Sequence, residues 1–456
     1  MEKWLKPALD YLPRWLDYQV REFDQPGCAI AVAHRGRVVL EHAVGHADAV
    51  KKRPLTPRHR FRVASHSKSF TAAGVMLLRE RDKLRLDDPV GRYVDDLHPA
   101  VADATLQQLL SHSAGLVRDG ADAGQWQDRR PFASEKDLRA ALAEAPVLET
   151  SERFKYSNHG FGLVGLVIEA VTGEPYTDWI TREVAAAAGL KETYADGPAP
   201  KGVPMAVGHS GKRPLGRRVV VPGDNPTNAL ASATGFVSTA ADLARFFSQL
   251  DPAAKRSLLK PASRREMTRE QWRAPHNSLG YAYGLGVMRG RVGDWDWFGH
   301  GGGFQGFITR TVALPGRDLA VSILTNAVDG WANPWSDGAM HILRTFADRG
   351  APPARARDWT GRWWSLWGAA DLVPTADRVL VAAPGLLKPF TDAMEIEVTA
   401  KDKDAGVIRL AGGFASHGEP ARLERAKNGT VRAVWLGGNR FQTESRMAAE
   451  MKRKYG

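Results

Sequence analysis

Ser65 and Lys68 lie three residues apart at the start of the apolar run FRVASHSKSFTAAGVMLL. A serine hydroxyl is a weak nucleophile and needs a base within hydrogen-bond reach. Residues i and i+3 share one helix face, so the pair can meet if this first turn is helical. A lysine serves as the base only when burial or a neighbouring cation lowers its pKa. The apolar helix that follows offers that burial, and the unpaired N–H groups at its start suit an oxyanion hole. The spacing alone is common: Ser257 and Lys260 repeat it in what reads as a surface segment.

Two other stretches could join them. In ERFKYSNHGFGLVGLVIEAVTG, Tyr156-Ser157-Asn158 forms a short loop before an apolar helix and is the only Tyr-x-Asn in the chain. In WFGHGGGFQGFITRTVALP, His300 and Gly301-Gly302-Gly303 precede a strand. Consecutive glycines let a ligand approach the backbone closely, although a flexible hairpin turn has the same composition. His-x-Gly by itself recurs at His34 and His209.

These residues need a scaffold, and the pattern supplies one. After an amphipathic first helix, AIAVAHRGRVVLEHAVG reads as two strands joined at Arg35-Gly36. Residues 69–80 are apolar on nearly every side, which predicts a helix buried in the core. Helical periodicity then dominates residues 85–275, in ATLQQLL, EKDLRAALAEA, GFGLVGLVIEAVTG and TAADLARFFSQL. Strand character returns in YGLGVMRG, FITRTVALP and LAVSILTN, with a turn at Pro315–Asp318 and a helix over 333–347. Strands at both ends of a helical block imply one α/β domain whose sheet is assembled from both termini.

The proline- and arginine-rich APPARARDW reads as a linker. Beyond it VLVAAP, EIEVTA, GVIRLAGG and TVRAVWLGG predict a small antiparallel β-barrel or sandwich over 356–456. The tryptophans of WTGRWWSLWG are expected in core or interdomain packing.

Bulk properties exclude several classes. The 456 residues suffice for a large core plus a second module, and 43% hydrophobic with 25% charged is ordinary globular composition. The formal charge of +12 comes from Arg and Lys scattered among acids, which reads as a solvated basic surface and not a nucleic-acid site. The single cysteine, Cys28, excludes an intramolecular disulfide and fits a buried strand position. The N-terminus lacks the apolar core of a signal peptide and no window is long and apolar enough to span a membrane, so a cytoplasmic protein is expected. No His-Glu-x-x-His or similar cluster predicts a metal, and no cofactor is expected.

The ordered set of Ser-x-x-Lys, Tyr-x-Asn and His-Gly-Gly resembles the serine β-lactamase-like, penicillin-binding-protein-like hydrolases. That group includes class C β-lactamases, DD-peptidases and the peptidase S12, D-aminopeptidase and esterase branch. LLSHSAGL at 109–116, GFVSTAADLARF at 235–246, YGLGV at 283–287 and LTN at 324–326 carry the same resemblance, over roughly residues 15–348. It implies an α/β fold: an antiparallel sheet flanked by helices, with a helical subdomain, over 1–350. A lipocalin-like antiparallel β-barrel would then occupy 356–456. It also implies that Ser65 is the acylated nucleophile, Lys68 its base partner and Tyr156 a sharer in proton transfer. The acylation base stays open between Lys68 and Tyr156. Asn158 would bond Lys68 and the substrate amide, His300-Gly301-Gly302 would take the place of the family's Lys-Thr-Gly, and Ser65 and Gly303 N–H groups would form the oxyanion hole.

The third motif departs from the family. His300 is only partly charged near neutrality and Gly301 has no hydroxyl, so a free-carboxylate substrate such as a penicillin is disfavoured. The expected activity is amide or peptide hydrolysis of the D-aminopeptidase or amidase kind, on a small molecule or short peptide. A carboxylesterase is the alternative, followed by a β-lactamase or DD-peptidase and by a non-catalytic sensor. His66 and Ser67 are expected in packing or capping and His112 in ordering a loop. His159 is expected to pack or meet solvent.

Overall fold

The computed structural model describes residues 2–221, 223–274 and 280–456. Within them the chain gathers into two compact units. One is Gln25–Ser336; the other joins the segment through Asp24 to Asp337–Gly456.

The first unit is built on a nine-stranded sheet. In spatial order its strands are Arg53–Pro54, Arg37–Asp48, Gly27–His34, Leu319–Thr325, Phe307–Leu314, Trp295–Phe304, Met288–Val292, Ala282–Tyr283 and Trp272–Arg273. Neighbours are antiparallel, and Cys28 pairs with Thr325 and His34 with Leu319, so the sheet closes between the two ends of the α/β segment as predicted. Both of these central strands are buried along their whole length. Burial on both faces explains why GCAIAVAH and LAVSILT run apolar instead of alternating. At Arg35-Gly36 both residues take positive φ, 53° and 75°, the two-residue turn that matches strand twist.

The helix Ala240–Leu250 packs on the central strands. Ser67–Glu80 is buried at every position from Ser67 to Leu78 and packs against Asn158–Thr172. Shorter helices complete the block; Leu106–Leu110 and Glu135–Leu142 begin at capping boxes on Thr105 and Ser134.

The glycine run differs from expectation. His300–Gly303 does not precede a strand but lies inside Trp295–Phe304, with Gly301 opposite Arg310 and Gly303 opposite Ile308. A Cβ on Gly302 would stand 2.2 Å from the Val63 carbonyl oxygen and 2.6 Å from Thr309 Oγ1. Glycine is required there because the chain leading to Ser65 crosses the strand at backbone distance.

In the second unit eight strands, from Gly361–Ser365 to Asn439–Gln442, close into a barrel. Trp359 and Trp363 fill its core with Leu372, Ile396, Ile408 and Val434, whereas Trp367 is 95% exposed. Trp15 and Gln19 of the helix Leu5–Glu22 donate to the carbonyls of Leu386 and Pro384 at 3.2 and 2.6 Å. Among the described residues, no helix is long and apolar enough to cross a membrane. Nor, among them, do three or more His, Cys, Asp or Glu residues form a group that could hold a metal ion.

Candidate active site

Ser65 occupies a single 3-10 turn, Ala64–His66, that runs directly into the helix Ser67–Glu80. Ala64 is held at φ 47°, left-handed geometry that is costly for a side-chain-bearing residue. The turn is tied down on both sides. Ser67 Oγ donates to the Ala64 carbonyl at 2.6 Å and accepts from the Phe236 N–H at 3.0 Å. His66 turns toward the sheet, its Nδ1 2.9 Å from the Val63 carbonyl and its Nε2 3.0 Å from Thr311 Oγ1. Burial lowers its pKa to about 3, so it packs as a neutral ring. Both residues lie off the Ser65–Lys68 face, as helical spacing requires.

That face carries the Lys68 amine. Lys68 is fully buried, with Nζ 2.7 Å from Asn158 Oδ1, 2.8 Å from the Ala233 carbonyl and 3.3 Å from Ser65 Oγ. Burial pushes its pKa well below the ordinary lysine value; Asp119 opposes the shift and Arg118 adds to it. A neutral amine has two N–H donors and one lone pair. Asn158 Oδ1 and the Ala233 carbonyl accept the two donors, and the third direction leads to Ser65.

Tyr156 reaches the same oxygen from the opposite element, its hydroxyl 2.9 Å from Ser65 Oγ. Burial raises its pKa above the usual tyrosine value, so it stands as a phenol and donates. Its loop is fixed at both ends. Ser157 caps the helix Asn158–Thr172 by accepting from the Gly160 N–H at 2.8 Å. His112 Nδ1 accepts from the Ser157 N–H at 3.1 Å, and the His112 carbonyl accepts from Lys155 at 2.7 Å. The His112 ring packs 4.2 Å from that of Tyr156, so it orders the loop.

Two residues missed by sequence reasoning complete the set. Asp119, buried three residues past LLSHSAGL, accepts from Asn158 Nδ2 at 2.6 Å and from Trp126 Nε1 at 2.9 Å. The tyrosine of YGLGV, Tyr283, lies 2.8 Å from His300 Nε2. Asp119 lies among Arg118, Asp122 and Asp128 in a polar, glycine-bearing stretch, so nothing in the local pattern singles it out. Nothing in the spacing points to Tyr283.

His300 is buried, with Nδ1 2.6 Å from the Gly301 carbonyl. Burial, then His66 and Lys68, hold its pKa well below the usual histidine value. Pairing of its strand with Met288–Val292 ends at Gly299, and the strand packs against the Ala64–His66 turn. Gly303 is exposed there. The structure thus brings Ser65, Lys68, Tyr156 and Asn158 into one contact set and lays the His300–Gly303 strand beside it. His159 is buried next to Gly120 and donates its N–H to the Arg118 carbonyl at 3.3 Å. A groove of about 1180 Å³ lined by Arg35, Arg37, Arg245, Asp251, Lys255 and Asp318 holds none of these residues.

Comparison with known proteins matches the chain to one family and to solved structures of similar fold. The family described as Beta-lactamase matches residues 16–344. Penicillin-binding protein 4* of Bacillus subtilis is 32% identical over 168 residues, 36% of this chain and 37% of the relative. The match therefore spans little more than a third of that relative's length. The octameric penicillin-binding protein homologue from Pyrococcus abyssi superposes with a TM-score of 0.66 at 22% identity, covering 95% of this chain and 99% of that one. A D-stereospecific amidohydrolase from Streptomyces sp. gives 0.61 at 24% identity, over 73% of this chain and 98% of that one. Both structural likenesses concern the fold.

Proposed function

The chain belongs to the beta-lactamase family, and we propose that it hydrolyses an amide or peptide bond through an acyl-enzyme on Ser65. The observation that carries this reading is the pairing on one oxygen: Lys68 Nζ at 3.3 Å and the Tyr156 hydroxyl at 2.9 Å from Ser65 Oγ. Lys68, with its lowered pKa and two donors engaged, takes the Ser65 proton as Oγ attacks the carbonyl carbon. Tyr156, kept protonated by burial, delivers a proton to the departing nitrogen. Water then attacks the acyl carbon and gives a proton to the Tyr156 phenolate. Lys68 returns its proton to Ser65 Oγ as the acyl bond breaks, so both groups regain their starting states. N–H groups of Ser65 and Gly303 are the proposed donors to the oxyanion.

Three features favour a substrate without a carboxylate at the third motif. His300 is neutral with both ring nitrogens bonded, Gly301 has no hydroxyl, and the strand edge offers backbone groups to an extended substrate. The acyl side is proposed as a D-residue or one with a free amine, as the resemblance of His-Gly-Gly to the D-aminopeptidase branch implies. A carboxylesterase would use the same three side chains, and the Tyr156 donor is what favours the amide, because an amine leaves only when protonated.

The test is a hydrolysis panel of D- and L-amino-acid p-nitroanilides beside p-nitrophenyl esters, on wild type and Ser65→Ala, with the acyl-enzyme followed by mass spectrometry. Amide turnover with an adduct on Ser65 supports the proposal. Ester turnover alone assigns a carboxylesterase. If a fluorophosphonate never labels Ser65 and neither class is turned over, the hydrolase reading fails.

A further inference from the structure

Asn158 is held between two groups that demand opposite ends of its amide. On one side Asp119 Oδ1 lies 2.6 Å from Nδ2; on the other Lys68 Nζ lies 2.7 Å from Oδ1. A carboxylate accepts and does not donate, so it fixes the amide nitrogen on its own side and the carbonyl on the lysine side. Rotating the amide would set oxygen against carboxylate and N–H against the amine. Asp119 is itself pinned, by Trp126 Nε1 at 2.9 Å on the same oxygen and Arg118 Nη1 at 3.1 Å on the other.

We propose that Asp119 is a positioning residue for the acyl transfer: it locks the Asn158 amide, thereby aims the Lys68 lone pair at Ser65, and sets the pH range in which Lys68 works. The inference rests on Lys68 being the base, as argued above. The groups around the amine define the electrostatics. Asp119 contributes the negative charge and Arg118 a positive one, with a side chain 59% exposed. Tyr156, Asn158, Ser65, His112 and His300 are neutral neighbours. An anion near a lysine stabilises its ammonium, so Asp119 keeps the Lys68 pKa from falling further.

The signs follow directly. Activity needs the amine, so protonation of Lys68 forms the acid limb of the kcat/KM profile. Asp119→Asn removes the anion and moves that limb to lower pH. It also frees the Asn158 amide and lowers the plateau. Asp119→Glu restores the limb. Arg118→Met removes the cation and moves the limb to higher pH.

The experiment measures pH–rate profiles of these variants on a p-nitrophenyl ester or p-nitroanilide that wild type turns over, with circular dichroism and melting temperature as the check on folding. A limb shifted down in Asp119→Asn and up in Arg118→Met supports the proposal. A reduced plateau with an unmoved limb makes Asp119 merely structural and overturns it; should Asp119→Asn not fold, an unmoved limb in Arg118→Met does the same. Lys68→Met separates this from the parent reading. If it keeps wild-type acylation of Ser65 by fluorophosphonate, the base assignment fails. If it is inactive while Asp119→Asn matches wild type, only the Asp119 proposal fails.

Discussion

The Tyr283 hydroxyl donates to His300 Nε2 across 2.8 Å, and the other nitrogen of that ring, Nδ1, lies 2.6 Å from the Gly301 carbonyl. A carbonyl only accepts, so Nδ1 carries the proton and the ring is a neutral, doubly bonded tautomer. The ring beside the Ser65 turn is therefore uncharged. His300→Gln is expected to lower kcat/KM without moving the acid limb of the pH profile, because one neutral group replaces another beside Lys68. A displaced limb would show that His300 titrates.

Lys68→Arg retains a positive charge that cannot be lost near neutrality. Acylation of Ser65 should fall by about 10²–10⁴-fold, the usual worth of a general base. Stopped-flow labelling with a fluorophosphonate measures it, and wild-type rates would remove Lys68 from the chemistry.

The same lysine makes stability depend on pH. Its folded pKa lies below its unfolded value, so between the two the unfolded chain binds a proton that the native chain has released. Stability from this group therefore rises with pH up to the unfolded value of about 10.4 and is lost as pH falls through the folded one. Melting temperature followed from about pH 7 to pH 10 should rise in wild type relative to Lys68→Met. Parallel curves would contradict the lowered pKa.

Tyr156→Phe removes the hydroxyl that lies 2.9 Å from Ser65 Oγ. A p-nitrophenolate departs without protonation, whereas an amine does not. The substitution should cost about 10²-fold or more on anilides and peptides, and clearly less on p-nitrophenyl esters. Equal losses on both would place Tyr156 in activation of the nucleophile instead.

Gly302→Ala must push apart two backbones, since its Cβ would meet the Val63 carbonyl oxygen at 2.2 Å. Overpacking of this kind costs about 1–3 kcal/mol, and here the displaced chain leads to Ser65, so labelling of the serine should slow with it. Gly303→Ala has only Ile308 Cδ1 at 3.6 Å in its way and should melt as wild type does. Chemical denaturation of the two variants side by side tests the contrast.

Much of the site was legible in local spacing. Ser65 and Lys68 are one helical turn apart, and Ser157 caps the helix that it precedes. Such relationships depend on a few neighbouring dihedrals. The hairpin at Arg35-Gly36 and the apolar helix Ser67–Glu80 were readable for the same reason. The glycine run was not, because a turn and a strand crossed by another chain both call for glycine. Only the approach of Val63, more than two hundred residues away in the chain, distinguishes them.

What the sequence determined by itself is therefore the set of candidate side chains and the elements that carry them. Helix and strand periodicities place those groups on defined faces, whatever the rest of the chain does. The tertiary structure decided their chemical states. Lys68 has a lowered pKa because a full shell of neighbours excludes water, and His300 is neutral because Tyr283 and Gly301 use both its nitrogens. Asn158 points its oxygen at Lys68 because Asp119, on a separate loop, leaves the amide one orientation. Solvation and hydrogen-bond partners are properties of the packed interior, and no spacing along a chain encodes them.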